Sequence, residues 1–304
     1  LKDFCAAHKD LFEADVFIAS DGPRIHPDKP TIFMGSRGVF NFTMRLDSHA
    51  GGHHSGNWGG LLTNPGVLMA HALASMIDRN GKILVEGWRS NQIPNSVRAA
   101  IAKLDVGEGE NTPDINPNWG EPDLTIAERV FASNTFEVRA FETGNPKSPA
   151  NAIPPSAVVF GHLRYVVGTD ISKLMPLLRA HLDKHGFNDI TITSELDMMP
   201  ATRLDPDHPW AKWAIKSLSK TAEEEIAVIP NLGGALPNDV FADLLGLPTI
   251  WVPHSYAGCS QHAPNEHILE SISRSALRLM TGLWWDLGEG NTPRQVSESV
   301  LMMG

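Results

Sequence analysis

Thr249-Ile-Trp-Val-Pro253 leads through a short loop to His262-Ala-Pro-Asn-Glu266. A run of β-formers closed by proline, then a loop with a histidine, then an amphipathic stretch predict strand, loop and helix in that order. In α/β folds such a loop lies beyond the carboxyl end of a sheet strand, where ligands and metals collect. His262 is then either a metal ligand or an ordinary loop histidine, because a single imidazole makes no site. Asn265 and Glu266 also read as the cap and first turn of the last helix.

Upstream, residues 14–20 form a strand pattern ending at Asp21-Gly22. A carboxylate at that point either reaches into a cleft as a metal ligand or caps its own turn. Residues 31–34 and Gly35-Ser-Arg-Gly38 precede residues 40–46, which alternate as a half-buried strand does. Residues 51–60 hold five glycines with the adjacent His53 and His54. That much chain entropy suits backbone brought against a ligand, although a tight crossover or a metal-binding tract with His49 would also account for it. Asn64-Pro65 opens a helix with Leu68, Ala72 and Met76 on one face.

Residues 82–88, 135–141, 157–167 and 190–194 read as strands, 105–123 as a loop, and 171–185 as an amphipathic helix stopped by Gly186. Beyond Pro200 the α/β texture returns. A helix over 210–222, a strand over 227–230, a helix over 239–245 and the strand before His262 precede a final helix. Ile268, Ile272, Ala276, Leu279 and Leu283 share one face of it. Ends of one texture around a middle of another imply a domain inserted into a discontinuous one.

The composition, 42% hydrophobic and 20% charged, is that of a globular protein. A formal charge of −10 gives no electrostatic reason to expect nucleic acid or anionic lipid as a partner. No apolar run approaches the ~20 residues that span a bilayer. Two cysteines build no disulfide framework, which favours the reducing cytoplasm. The sequence opens without Met and reads as though entered in the middle of a helix.

Further candidates are Asn151-Ala-Ile-Pro154 before a strand bearing Arg164, and Gly233-Gly-Ala-Leu-Pro237 after a strand. An arginine on such a strand clamps a carboxylate or makes a surface ion pair. The glycine loop presents backbone N–H groups to an anion or simply turns the chain. Together and in this order, Asp21, His54-Ser-Gly56, Asn151, Arg164, Gly233-Gly234 and His262 resemble the dinuclear-zinc metallopeptidase and amidohydrolase family of carnosinase, carboxypeptidase G, aminoacylase and acetylornithine deacetylase.

The resemblance implies an α/β catalytic domain, incomplete here, over residues 1–35 and 201–304. It also implies an inserted ferredoxin-like α+β lid over 36–200 that dimerises. Asp21 and His262 would be metal ligands and His54 the lid histidine that reaches a partner subunit's active site to stabilise the oxyanion. Arg164, Asn151, Gly233 and Gly234 would hold the substrate. Two zinc ions, with cobalt or manganese as substitutes, would activate water against a small peptide or an acyl-amino acid. An aspartate at position 21 is similar to the dipeptidase members.

Ala235 stands where the family has serine, and Arg164 is followed by Tyr-Val-Val-Gly. The family's upstream His-x-Asp and Glu-Glu have no counterpart in this sequence. His26-Pro-Asp28, His181-Leu-Asp183 and Glu223-Glu-Glu225 are not positioned to replace them. The expectation is a portion of a hydrolase that retains two of five ligands and hydrolyses negligibly alone. A deacylase of the same family and a non-catalytic dimeric scaffold are the alternatives.

Overall fold

The structure is a computed structural model that describes residues 1–107, 113–194, 199–290 and 292–293. In chain order its principal elements are β1 (Phe17–Ala19), β2 (Thr31–Phe33), β3 (Gly38–Asp47), α1 (Pro65–Met76), α2 (Asn95–Ile101), α3 (Ile126–Phe131), β4 (Thr135–Thr143) and β5 (Ser156–Tyr165). They continue with α4 (Ile171–Lys184), β6 (Thr191–Ser194), α5 (Pro209–Ala222), β7 (Ala227–Ile229), β8 (Thr249–Trp251) and α6 (Glu270–Gly288).

One sheet has the order β1-β8-β2-β7. Its outer pairs, β1–β8 and β2–β7, are parallel, and the two pairs meet antiparallel at β8–β2. Period-two alternation sends Ile32 and Ile250 to one face, against Trp210, Leu218, Leu279 and Leu283 of α5 and α6. Phe33 and Trp251 go to the other face, against Val97, Ile101 and Phe131 of α2 and α3. The Phe33 and Trp251 rings stack with centroids 5.6 Å apart. The result is a helix–sheet–helix sandwich, in which each large apolar side chain fully removed from water contributes about 2 kcal/mol.

The second sheet, β6-β3-β5-β4, is antiparallel throughout. With α1 after β3 and α4 after β5, the order is β-α-β-β-α-β with the fourth strand beside the first, the ferredoxin-like topology expected. Burial alternates along all ten residues of β3. Phe40, Phe42, Phe136 and Leu163 pack with Met69, Met76, Leu174 and Leu178 on the helix side. The opposite face of this sheet, bearing Arg164 and His162, is not covered by α1 or α4.

Several local expectations change. Residues 82–88 form no strand: Ile83 makes a single bridge to Ile77, and Trp88 is wholly buried with Nε1 donating to the Leu174 carbonyl at 3.0 Å. The apolar run plugs the core instead of pairing. The inward face of α1 is Met69, Ala72 and Met76, leaving Leu68 exposed. The 239–245 helix is a π-helical turn at Val240–Leu244. The last helix starts at Glu270, so Ile268 lies outside it and is exposed. Within the 105–123 loop, residues 108–112 fall outside the described residues. Although α2 and α3 fall within residues 36–200, they pack on the first sheet. No helix among the described residues is long and apolar enough to cross a membrane.

Candidate functional site

Because β1 and β8 are parallel neighbours, their carboxyl ends open on one rim. Asp21 stands two residues beyond β1, and the loop to His262 follows β8. The two exits are stitched together. Pro23–Arg24 pairs in parallel with Ser255–Tyr256, and Ser255 donates to the Gly22 carbonyl from N at 3.1 Å and from Oγ at 3.0 Å. Asp21 is exposed, with Oδ1 accepting from the Gly22 N–H at 2.6 Å.

His262 is also exposed, at φ 60°, and Ser260 and Asn265 have φ 60° and 65°. Three non-glycine residues in the left-handed region cost of order 1 kcal/mol each, a strain that concentrates at functional loops. The loop is pinned by His267. Its Nδ1 donates to the Asn265 carbonyl at 2.9 Å, so Nε2 accepts from the Tyr256 hydroxyl at 2.8 Å. Asn265 therefore belongs to this strained loop and does not cap α6.

Asp21 and His262 are the right donor types for a divalent ion, and the strands that lead to them leave the sheet side by side. Protein metal sites take three or four such donors. Among the described residues no group of three or more His, Cys, Asp or Glu stands together. By donor type the two supply at most part of such a sphere.

The glycine loop after β7 is laid against the entry to β3. Leu232 N–H donates to the Gly35 carbonyl at 2.8 Å, Arg37 N–H to the Leu232 carbonyl at 2.9 Å, and Leu236 N–H to Ser36 Oγ at 3.2 Å. Gly234 is exposed with open space above it, whereas Gly233 lies over Arg37 and Val130. Arg164 lies opposite Val39 on one side and Thr135 on the other. It shares the open face with His162, which burial and then Arg164, Arg139 and Arg37 hold down at about 4. An imidazole that is depressed when folded makes stability fall as pH drops from about 6.5 toward 4, because the unfolded chain takes up the proton first. His162→Gln is expected to flatten the fall in melting temperature across that window; an unchanged slope would refute it.

His54 and Asn151 form a separate group. His53–His54 pairs with Ala152–Ile153, and Ser55 donates to the Asn151 carbonyl from both N and Oγ at 2.9 Å. His54 is exposed and its Nδ1 accepts from the Gly56 N–H at 3.1 Å, which leaves Nε2 as the donor nitrogen of the neutral ring. This pair lies before the first residue of β5 and Arg164 near its last. The eight steps from Ser156 to Arg164 span about 27 Å. Asn151 is thus grouped with His54 and not with Arg164.

The sequence reading missed Arg37, Asn238 and His254. Arg37 is buried, with Nε donating to the Gly233 carbonyl and Nη1 to Thr135 Oγ1, both at 3.1 Å. Its only local signal is an arginine between glycines at a strand entry. Asn238 is fully buried and bonds Thr202, Thr249 and Trp251. His254 has both ring nitrogens buried. Burial and then Arg24 lower its pKa. A cavity of about 850 Å³ between α2, α5 and the start of β7 is lined by none of the candidate residues. Lys29 and Lys103 on its rim are paired with Glu224 and Glu225.

Residues 34–190 match the model of the M20 peptidase dimerisation domain. The chain is 31% identical over 314 residues to Beta-Ala-His dipeptidase of Rattus norvegicus, covering 97% of this chain and 62% of the relative. It is 23% identical over 283 residues to a Cys-Gly metallodipeptidase of Saccharomyces cerevisiae, covering 84% and 55%. The chain therefore spans somewhat more than half the length of these relatives. An M20 family metallo-carboxypeptidase from Sulfolobus solfataricus superposes with a TM-score of 0.76 at 25% identity, over 92% of this chain and 65% of that one. The matched domain takes in more than half of the residues, and the chain belongs to the peptidase dimerisation domain family of the M20 peptidases.

Proposed function

We propose that the chain forms part of a metal-dependent hydrolase cleaving amide bonds in dipeptides or small peptides, and that it works as a homodimer. The observation that carries this reading is the parallel pairing of β1 with β8, which brings Asp21 and the His262 loop to one rim. Asp21 and His262 would supply two of five protein ligands to a pair of zinc ions, which cobalt or manganese could replace. Bound there, the ions would polarise the scissile carbonyl and lower the pKa of a water. Hydrolysis by these 304 residues alone is expected to be negligible.

Arg164 and the N–H groups of the Gly233-Gly234 loop would hold the substrate carboxylate. His54, through Nε2–H, would donate to the carbonyl oxygen as negative charge develops there. Because β5 separates His54 from Arg164, the two would serve one small substrate only if His54 comes from a second copy, with Asn151 beside it. The outer edge of β4, where Val138 and Phe141 are exposed, suits that association. The free, buried Cys5 and Cys259 suit a reducing compartment such as the cytoplasm.

The test is metal content and turnover in the full-length protein. Asp21→Ala and His262→Ala should each weaken metal binding at least roughly tenfold. His54→Ala should leave metal content unchanged and lower kcat about 10²–10³-fold. Loss of metal in His54→Ala would overturn the role given to His54. A panel of dipeptides against N-acetyl amino acids separates a peptidase from a deacylase, and inactivity on both in the metal-loaded full-length protein would favour a scaffold.

A further inference from the structure

Arg37 joins two pieces of chain that are 196 residues apart. It stands where Gly35-Ser-Arg-Gly38 enters β3, and the residue is 7% exposed. One arm of the guanidinium holds the Gly233 carbonyl and another holds Thr135. Thr135 lies directly across from Arg164 in the β4–β5 register, and Arg37 and Arg164 are diagonal neighbours on the same face. A Cβ built on Gly233 would lie 3.6 Å from Arg37 Nη2, so the loop rests on this side chain. Burying a cation next to a second cation is costly. Desolvation and then Arg164 bring Arg37 down to about 10, with the Glu137 carboxylate opposing them only in part. A neutral side chain would fill the same space without that cost, so packing alone does not explain an arginine here.

We infer that Arg37 is the positioning residue of the carboxylate pocket: its fork fixes the Gly233-Gly234 loop over the β4–β5 pair, so that the loop's N–H groups and Arg164 address one carboxylate and discriminate it from an amide. This rests on the proposal that Arg164 and the glycine loop hold the substrate carboxylate. All parts of the pocket come from one copy of the chain, so it can be probed by binding without turnover.

The experiment titrates this chain with N-acetyl-L-alanine and with N-acetyl-L-alaninamide, by calorimetry or NMR. The wild type should prefer the acid by about tenfold or more, the range of a charge-assisted hydrogen bond. Arg164→Met should abolish that preference. Arg37→Met, which keeps Arg164, should lower affinity for the acid about tenfold and leave the amide unchanged. Arg37→Lys should not restore it, because an ammonium lacks the planar fork that spans both acceptors. Thr135→Val removes one of the two acceptors with little change in shape and should reduce the preference severalfold, which covers the case of an Arg37 variant that fails to fold. Wild-type preference retained in Arg37→Met or Thr135→Val, or full rescue by lysine, would overturn the role of Arg37. No preference in the wild type, or its survival in Arg164→Met, would instead overturn the pocket itself.

Discussion

Mixing two inactive variants of the full-length protein, His54→Ala and Arg164→Ala, should restore about a quarter of wild-type turnover. The figure follows from two-fold symmetry. In a mixed dimer one site has its own Arg164 and the partner's His54 intact, and the other has lost both, so each mixed dimer carries half the wild-type activity. Random exchange makes half of all dimers mixed. Alone, His54→Ala should lose about 10²–10³-fold, the scale of removing one oxyanion donor, and Arg164→Ala at least about tenfold, the scale of a lost charge-assisted hydrogen bond. The geometry behind the prediction is the β5 strand, with Ala152–Ile153 before it holding His53–His54 and Arg164 near its other end. Recovery must appear in proportion to mixed dimers, measured by native mass spectrometry. Absence of recovery despite exchange would show that both residues serve the same copy.

Asn238→Ala should destabilise the fold by about 4 kcal/mol, well beyond the typical point substitution. The amide Nδ2 donates to Thr202 Oγ1 at 2.8 Å and Thr249 Oγ1 at 3.0 Å, and Oδ1 accepts from Trp251 Nε1 at 2.8 Å. All three partners are buried, so truncation strands an indole donor and the Thr202 hydroxyl without water and leaves Thr249 only its 3.5 Å bond to the Met34 carbonyl. A fall in melting temperature of roughly 10 °C is expected for a chain of this length. Asn238→Asp should be no milder, since it keeps the acceptor, loses both donations and buries a charge. A shift below about 2 °C would contradict the account.

Local pattern made much of the architecture legible. The alternation in residues 40–46 is the buried and open sides of β3, and Asn64-Pro65 does start a helix, with Oδ1 accepting from Gly66 and Val67. The turn at Gly186, φ 81°, ends α4. What the sequence could not disclose depends on long-range pairing. Residues 82–88 look like a strand because they are apolar, yet a buried plug has the same composition as a strand. Asn265 has the chemistry of a helix cap but takes the left-handed conformation that asparagine also tolerates. Asn151 and Arg164 are near in sequence and were expected to cooperate, but a fully extended strand drives them apart. Arg37 meets Gly233 only because β3 begins beside the loop that leaves β7.

The excursion carrying α2 and α3 has a mechanical consequence. An inserted domain needs only the two linkers at its ends, and two linkers make a hinge. Here the chain also passes from the ferredoxin-like core to the first sheet between Trp88 and Ile93, and returns between Phe131 and Phe136. Val97, Ile101 and Phe131 anchor that excursion, and releasing them would cost about 6 kcal/mol at roughly 2 kcal/mol each. Such a release would be populated about once in 10⁴ molecules. The ferredoxin-like core is thus braced against the first sheet along its flank as well as at its ends, so any rigid-body swing of one against the other has first to break the packing of Val97, Ile101 and Phe131.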